Sequence, residues 1–244
     1  MSDSESDDYL DIELRPPASV MARAVVLSTL ARRGLLEILP NDAEAAETDR
    51  FDLAAWAQHE LAAWIEPREM LALRSPLHSL SDDALALCLD AGESFVALSW
   101  GLDMPAAHLT AIDTPADLPA LLESFPHPWQ RTDRAISAAQ LRSEAEIAVE
   151  RERAELWWWR ASLPGDEGSE DEIDTALPDV LREASAAGLI DETHGDFQVG
   201  GQPFRMLNED RRATILMIAT ARLRAFNWLC GFGASWTSAP LDID

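Results

Sequence analysis

Lysine is absent from the sequence, so each of the 19 residues counted as Lys plus Arg is an arginine. Schiff-base chemistry, a pyridoxal-phosphate anchor and a Walker-type phosphate loop all need a lysine amine, and the sequence excludes them. Cysteine is nearly absent too: Cys88 and Cys230 are far apart and lie in apolar runs, which favours buried free thiols over a disulfide. There is neither a signal-peptide pattern nor an apolar run of about 18 residues, which predicts a soluble cytoplasmic protein.

Positive charge is scarce, because 44 Asp and Glu residues outnumber the 19 arginines and give a formal net charge of −25. This balance disfavours nucleic acids and anionic membrane surfaces as partners, since both are bound through cationic side chains. Two stretches concentrate the acids. We predict that residues 1–14 form a mobile acidic tail and that residues 164–175 form an acidic loop within a single domain spanning 15–244.

Apolar residues recur at helical spacing along most of the chain. Capping residues and glycine or proline stops predict helices over 19–34, 53–64, 81–102, 118–125, 143–160, 178–187 and 208–229. The stretch 189–204 instead predicts a small β-hairpin, with a polar turn and a Gly-Gly pair between apolar runs. The predicted fold is therefore mainly α, a single multi-helix domain with one small hairpin before the long C-terminal helix.

The C-terminal helix is apolar on nearly every side, yet it carries Arg222, Arg224 and Asn227. A helix of this kind is usually central, and a buried guanidinium needs a carboxylate or several carbonyls around it. Two interpretations stay open. An arginine here pairs with Asp242 or Asp244 and holds the C-terminal segment to the core, or the arginines bind a ligand.

The same region resembles a bacterial family, domain of unknown function family four-two-seven-two. Residues 221–229 read Ala-Arg-Leu-Arg-Ala-Phe-Asn-Trp-Leu, and they precede a Gly-Phe-Gly turn, Trp236 and Asp242. Further similarity lies at 195–203, 139–147 and 99–102, so the resemblance spans most of residues 15–242. The family's Glu and His in the terminal motif are replaced here by Ala221 and Leu223, which argues against shared catalysis. The resemblance implies a fold and no activity, because the family has no established one.

Three consecutive tryptophans, Trp157, Trp158 and Trp159, are the most unusual feature of a tryptophan-rich chain. Successive helix positions differ by about 100°, so the three side chains cannot share one buried face. We expect two of them to pack in the core. The third is expected to meet a loop, a partner chain or a ligand.

Motifs for catalysis and metal binding are missing from the sequence. The five histidines are not spaced like metal ligands; they are His59, His78, His108, His127 and His194. The sequence also has no nucleophile-elbow motif. Carboxylates are so abundant in this acidic chain that two of them close together do not indicate a catalytic pair. We therefore predict no metal and no cofactor, and the sequence leans against an enzyme without excluding one.

Two functions remain as hypotheses. The first is a non-catalytic interaction protein, in its specific form an acidic inhibitor or immunity-like protein that binds a basic partner through complementary charge. The second is a small-molecule binder or enzyme with a pocket along the C-terminal helix. The candidate binding residues are Arg222, Arg224, Asn227, Trp228, Trp157, Trp158 and Trp159. A homo-oligomer is left open.

Overall fold

The computed structural model describes residues 12–39, 42–163 and 170–243. The helices of this part are α1 (Pro17–Ile38), α2 (Ala43–Glu60), α3 (Pro67–Arg74), α4 (Asp82–Gly101), α5 (Leu118–Leu122), α6 (Asp133–Ser137), α7 (Glu144–Ser162), α8 (Glu170–Ala186) and α9 (Glu209–Leu229). Three short strands, β1 (Glu192–Thr193), β2 (Asp196–Val199) and β3 (Gln202–Pro203), precede α9. The predicted fold class is confirmed. The third strand extends the predicted hairpin to a three-stranded antiparallel sheet.

Local capping signals place several helix starts where the sequence predicts them. The Ser81 side chain accepts a hydrogen bond from the Ala84 N–H, and Ser143 forms the predicted capping box with Glu146. Asn208 accepts from the Arg211 N–H at 2.9 Å and so begins α9. Each contact satisfies a backbone donor that the first turn of a helix leaves without an intrahelical partner.

Two short helices, α3 and α6, were not predicted from the sequence. Pro67 suggests an interruption when the sequence is considered alone, but it occupies the first turn of α3, where a missing N–H costs nothing. The side chain of Glu69 then accepts from the N–H of Glu66 at 2.8 Å and completes the helix start.

The helices build one large hydrophobic core and a smaller one beside it. α1 packs on α4, α4 on α9, and α9 on α7, so the C-terminal helix is central, as predicted. The smaller core lies between α7, α8, the sheet and the first half of α9, around the fully buried Phe197 and Ile215. Trp158 contacts both cores and marks where they meet.

The predicted acidic loop at 164–175 is corrected in part. Residues 164–169 lie outside the described residues, but residues 170–175 are helical, because α8 begins at Glu170 and carries Pro178 in its interior. Acidic side chains are favourable in the first turn of a helix, which explains why an acidic run can begin one. α8 then ends before Gly188, whose φ of 71° fits the predicted glycine stop.

Most of the predicted acidic tail, residues 1–11, lies outside the described residues. Ile12 and Leu14 pack against the large core, and the Arg15 N–H donates to the Leu229 carbonyl at 2.9 Å. This segment crosses the end of α9 at Gly231, where a Cβ atom would come within 2.5 Å of the Glu13 carbonyl oxygen. Glycine at this position allows the two backbones to meet.

Among the residues that the structure describes, one helix, α4, is long and apolar enough to cross a membrane by length and composition, although no span is predicted from the sequence. Its most apolar window is 61% buried inside the protein. That burial is typical of a core helix, and α4 accordingly packs between α1 and α9.

Candidate functional site

Arg222 is buried against α4. Its Nε and Nη2 atoms lie 3.2 and 3.1 Å from Oε2 of Glu93, and its guanidinium also donates to the carbonyl and hydroxyl oxygens of Thr110 at 2.9 Å. Oε1 of Glu93 accepts from the Ala116 N–H at 2.7 Å. The predicted pairing with C-terminal acids is therefore wrong for Arg222, whose carboxylate partner is in α4. The pair ties α9, α4 and the 110–116 segment together.

Arg224 faces a different part of the surface. It is half-buried and lines an open cavity together with Arg68 and Asp242. Asp242 is not within ion-pair distance of it among the described residues, and Asp244 lies outside them. Burial raises the pKa of the Asp90 carboxyl in α4, and the charge of Arg224 partly opposes that rise. Arg222 and Arg224 therefore do not form one ligand clamp.

Asn227 and Trp228 hold the C-terminal segment and the N-terminal segment against α9. The fully buried Asn227 accepts from Nε of Arg151 at 2.8 Å and donates to the Pro240 carbonyl at 2.9 Å. Trp228 packs edge-on against Trp236, with ring centroids 5.6 Å apart, and the Arg15 guanidinium lies over the Trp228 ring. These contacts are internal to the fold.

The three consecutive tryptophans occupy three different environments. Trp157 is buried edge-on against Phe197, with ring centroids 5.1 Å apart. Trp158 and Trp159 are half-buried, the former between the two cores and the latter tilted against Phe197. Of the seven predicted binding residues, Trp157 and Arg222 line one cavity of the described part of the chain together.

That cavity, here called the seam cleft, lies where the two cores meet. Its volume is about 370 Å³, and it is bounded by residues 109–113, α7, the sheet and α9. Its walls include Trp157 and Phe226, with Arg222 at the α9 side. The Gly200–Gly201 turn of the sheet forms one lip, with φ values of 58° and 82°. A pocket along the C-terminal helix is thus present, although most of the predicted polar anchors lie elsewhere.

A second concavity, the acidic groove, lies between α1, α2, α5 and the loop that follows α5, with a volume of about 410 Å³. Its apolar lining residues are Leu35, Leu36, Leu53, Pro119, Leu122 and Pro128. Three carboxylates, Asp49, Asp52 and Glu123, line it together with one arginine, Arg32, and with His127, whose Nε2 lies 3.5 Å from Oε2 of Glu123. Nη2 of Arg32 donates to the Leu122 carbonyl at 2.5 Å, whereas its buried Nε has no hydrogen-bond partner among the described residues.

Two exposed apolar side chains belong to residues close in sequence to lining residues of the acidic groove. Leu39 directly follows α1, its N–H donates to the Leu35 carbonyl, and it is 51% exposed. Trp129 directly follows Pro128; it is 63% exposed and has a φ of 71°, a left-handed conformation that costs energy for a side chain other than glycine. A large aromatic ring held in solvent by a strained backbone is unusual.

The acidic groove was not predictable from the sequence, because its walls come from helices that meet only in the fold. Trp129 carried one weak signal, its position between Pro128 and Gln130 in a proline-rich stretch. Glu93 carried a clearer one: it is a carboxylate just before the apolar second half of α4. Such a residue needs a buried partner, and Arg222 supplies it.

Other reactive groups give no catalytic arrangement in the described part of the chain. No group of three or more His, Cys, Asp or Glu residues there is placed to hold a metal ion. Both cysteines are buried and free, as predicted. Burial raises the pKa of the Cys88 thiol to about 11 and that of Cys230 to about 12, so neither forms a thiolate at neutral pH.

Comparison with known proteins places the chain in one family. The family model described as "Domain of unknown function (DUF4272)" matches residues 5–183. The chain belongs to this family. The sheet and α9 of this DUF4272 member follow the last matched residue, so the matched range does not include the terminal motif at 221–229. No curated protein and no solved structure matches the chain.

Proposed function

We propose that this protein is a non-catalytic, cytoplasmic interaction protein that binds a basic partner protein in the acidic groove. The observation that carries the proposal is the combination of apolar lining residues, carboxylates among them and the exposed ring of Trp129, which directly follows the lining residue Pro128. Exposed apolar patches edged by polar residues are typical of protein interfaces, and tryptophan is enriched among the residues that dominate binding energy.

Charge decides which partner fits the groove. Arg32 is bonded to the Leu122 carbonyl, whereas Asp49 and Glu123 are exposed to solvent at the groove edge. The whole chain carries a net charge of −25, which attracts a basic protein at long range and repels a second copy of itself. For the same reason, the acidic N-terminal residues 1–11 of this chain are poorly suited to occupy the acidic groove. This charge balance supports a specific form of the proposal, an inhibitor or immunity-like protein that binds a basic toxin or nuclease.

The groove walls indicate how the partner binds. They are helices, whose backbone hydrogen bonds are made internally, and none of the three strands described above lines the groove. An added β-strand therefore has no edge to pair with at this site. A basic amphipathic helix fits, because it can lay apolar side chains on the groove floor and place arginine or lysine at the acidic edge.

The test uses the full chain as bait in extracts of its native host, in three versions. The wild type is compared with the groove variant Asp49→Asn/Asp52→Asn/Glu123→Gln and with a charge-matched control, Glu152→Gln/Glu183→Gln/Glu192→Gln, whose three sites are exposed and distant from the groove. We expect a basic protein that is retained by the wild type and the control, released by high salt, and lost from the groove variant.

Two results would overturn the proposal. Recovery of no common partner by wild type and control would remove the interaction itself. Equal retention of the partner by the groove variant and the control would show that binding follows total charge or another surface, and not the groove.

A further inference from the structure

We infer that the seam cleft is a second binding site, which takes a small organic cation with a flat apolar body, such as an aromatic amine. This inference is independent of the acidic groove, because the two concavities share no lining residue. It makes specific the idea of a pocket along the C-terminal helix. The ligand that fits the cleft depends on which of its charged groups already have partners within the protein.

The size and walls of the cleft suit a small ligand. A volume of about 370 Å³ is within the range of small-molecule sites, roughly 300–1,000 Å³, and such sites are mostly apolar with a few polar groups. Aliphatic side chains such as Ile112 and Val199 line it together with Trp157 and Phe226. Aromatic walls favour a flat apolar body and also attract cations.

The arginines of the cleft are held by the protein itself. Arg222 donates to Glu93 and Thr110, as described above. Arg153 donates from Nε to the Leu189 carbonyl at 2.9 Å and pairs with Glu150 through Nη1. Most N–H groups of the two guanidiniums therefore already have an acceptor within the protein. The cleft is therefore poorly prepared for a carboxylate or a phosphate.

The charge left available is negative. Asp191 lines the cleft and is exposed, and its carboxylate has no hydrogen bond or ion pair within the described part of the chain. Its position is fixed, because the Asp191 carbonyl accepts from the Gln198 N–H at 2.8 Å and so joins the residue to β2. Gln198 also lines the cleft, and a glutamine side-chain oxygen can accept a hydrogen bond. An ammonium group placed between these two side chains would find a charge partner and an amide acceptor.

Matched pairs of probes test the inference. Tryptamine and indole-3-propionate share one ring and side-chain length but carry opposite charges, as do phenethylamine and 3-phenylpropionate. Titration calorimetry on the full chain is expected to show saturable one-to-one binding of an amine, about tenfold or more tighter than its matched acid. Asp191→Asn should weaken amine binding by about tenfold.

Two control variants separate the cleft from the general acidity of the surface. Glu192→Gln removes the neighbouring exposed carboxylate, which does not line the cleft, and should leave amine binding unchanged. The groove variant Asp49→Asn/Asp52→Asn/Glu123→Gln should also bind the amine normally, even if it loses the partner protein. Failure of this inference is thereby distinguishable from failure of the proposed function.

The inference is overturned if neither amine binds saturably, if the acids bind as tightly as the amines, or if Glu192→Gln weakens binding as much as Asp191→Asn. A blocking variant, Ala154→Leu, adds an independent check, because Ala154 is a buried wall residue of the cleft. Where circular dichroism shows the native helix content, this variant should abolish amine binding. Unchanged binding by a folded Ala154→Leu protein would also contradict the inference.

Discussion

Nη2 of Arg222 lies 3.1 Å from Oε2 of Glu93, and the two residues join the last long helix to the middle of α4. Both side chains are almost completely buried, with 7% and 6% of their areas exposed. Removal of one member of a buried ion pair leaves the other charge without a partner in an apolar environment.

We therefore expect Arg222→Ala to lower the free energy of unfolding by about 3–5 kcal/mol. The double variant Arg222→Met/Glu93→Leu should lose less, because it removes both charges and keeps most of the volume. Urea denaturation measures both values. Arg134→Ala, at an exposed position, serves as a control and should change stability by no more than about 0.5 kcal/mol. A loss below about 1 kcal/mol for Arg222→Ala would contradict the structural role assigned to the pair.

Replacement of Asp90 is expected to raise the free energy of unfolding, in contrast to replacement of Arg222. Burial raises its pKa in the folded state above the unfolded value, so its ionised form is better tolerated by the unfolded chain. The penalty is present at neutral pH and disappears as the pH falls below the unfolded pKa of about 4. Asp90→Asn should therefore stabilise the protein near pH 7 and have little effect near pH 3.5.

Urea unfolding at the two pH values tests this, with Glu152→Gln in α7 as an exposed control that should show no such pH dependence. Since Arg224 opposes the rise in the Asp90 pKa, Arg224→Ala should enlarge the gain obtained from Asp90→Asn. A loss of stability on Asp90→Asn at neutral pH would show that the carboxylate is well paired.

Asp196 supports the sheet through its charged form. Burial alone would raise the pKa of its carboxyl, but hydrogen bonds from Arg160 and from the backbone N–H groups of Arg205 and Phe197 outweigh burial and hold the pKa below its ordinary value. The carboxylate oxygens lie 2.8 and 3.0 Å from Nε and Nη2 of Arg160. Its contribution to stability is complete above the unfolded pKa of about 3.9 and is lost as the pH falls through the lower folded value.

Asp196→Asn should therefore cost at least about 2 kcal/mol near neutral pH, since a hydrogen bond to a charged group is worth about 1.5–3 kcal/mol. The difference from wild type should shrink as the pH falls below about 4. Thermal unfolding across this range measures it, with the exposed Asp191→Asn as the comparison in the same sheet region. A difference that is constant with pH would mean that the charge of Asp196 is not what stabilises the sheet.

Features that depend on neighbouring residues were predictable from the sequence, and features that depend on distant ones were not. The helix starts at Ser143 and Asn208 follow from side chains that reach backbone groups three residues away. The partner of Arg222 is 129 residues distant in sequence, so local spacing contains no information about it. The predicted start of α8, at residue 178, was wrong. A proline and an acidic run both favour a loop locally, whereas the packing of Leu177 and Leu181 in the smaller core favours a helix.

The same distinction applies to the candidate sites. The terminal motif is conspicuous in the sequence because polar groups interrupt an apolar helix, yet Asn227 and Trp228 are engaged in internal contacts. The acidic groove and the seam cleft are each assembled from segments far apart in the chain. A concave surface is a property of packing, and no single segment encodes it.

Trp129 links backbone strain to the proposed interaction. Its left-handed backbone lies next to Gln130, whose carbonyl accepts from Nε1 of the buried Trp56 at 2.8 Å, so the adjacent contact helps to hold the strained residue in place. Trp129→Gly removes the cost of placing a side chain in this conformation, about 1 kcal/mol. We expect this variant to be as stable as the wild type or more stable, but to lose retention of the basic partner.

Two further variants separate the side chain from the strain. Trp129→Ala also lacks the ring but keeps a Cβ atom at positive φ, so it should lose the partner without gaining stability. Trp64→Ala removes another exposed tryptophan, 42% exposed and outside the acidic groove, and should retain the partner. Retention of the partner by Trp129→Ala at the wild-type level would show that the exposed ring is not part of the interface, since a central tryptophan typically costs at least about 2 kcal/mol of binding energy when truncated.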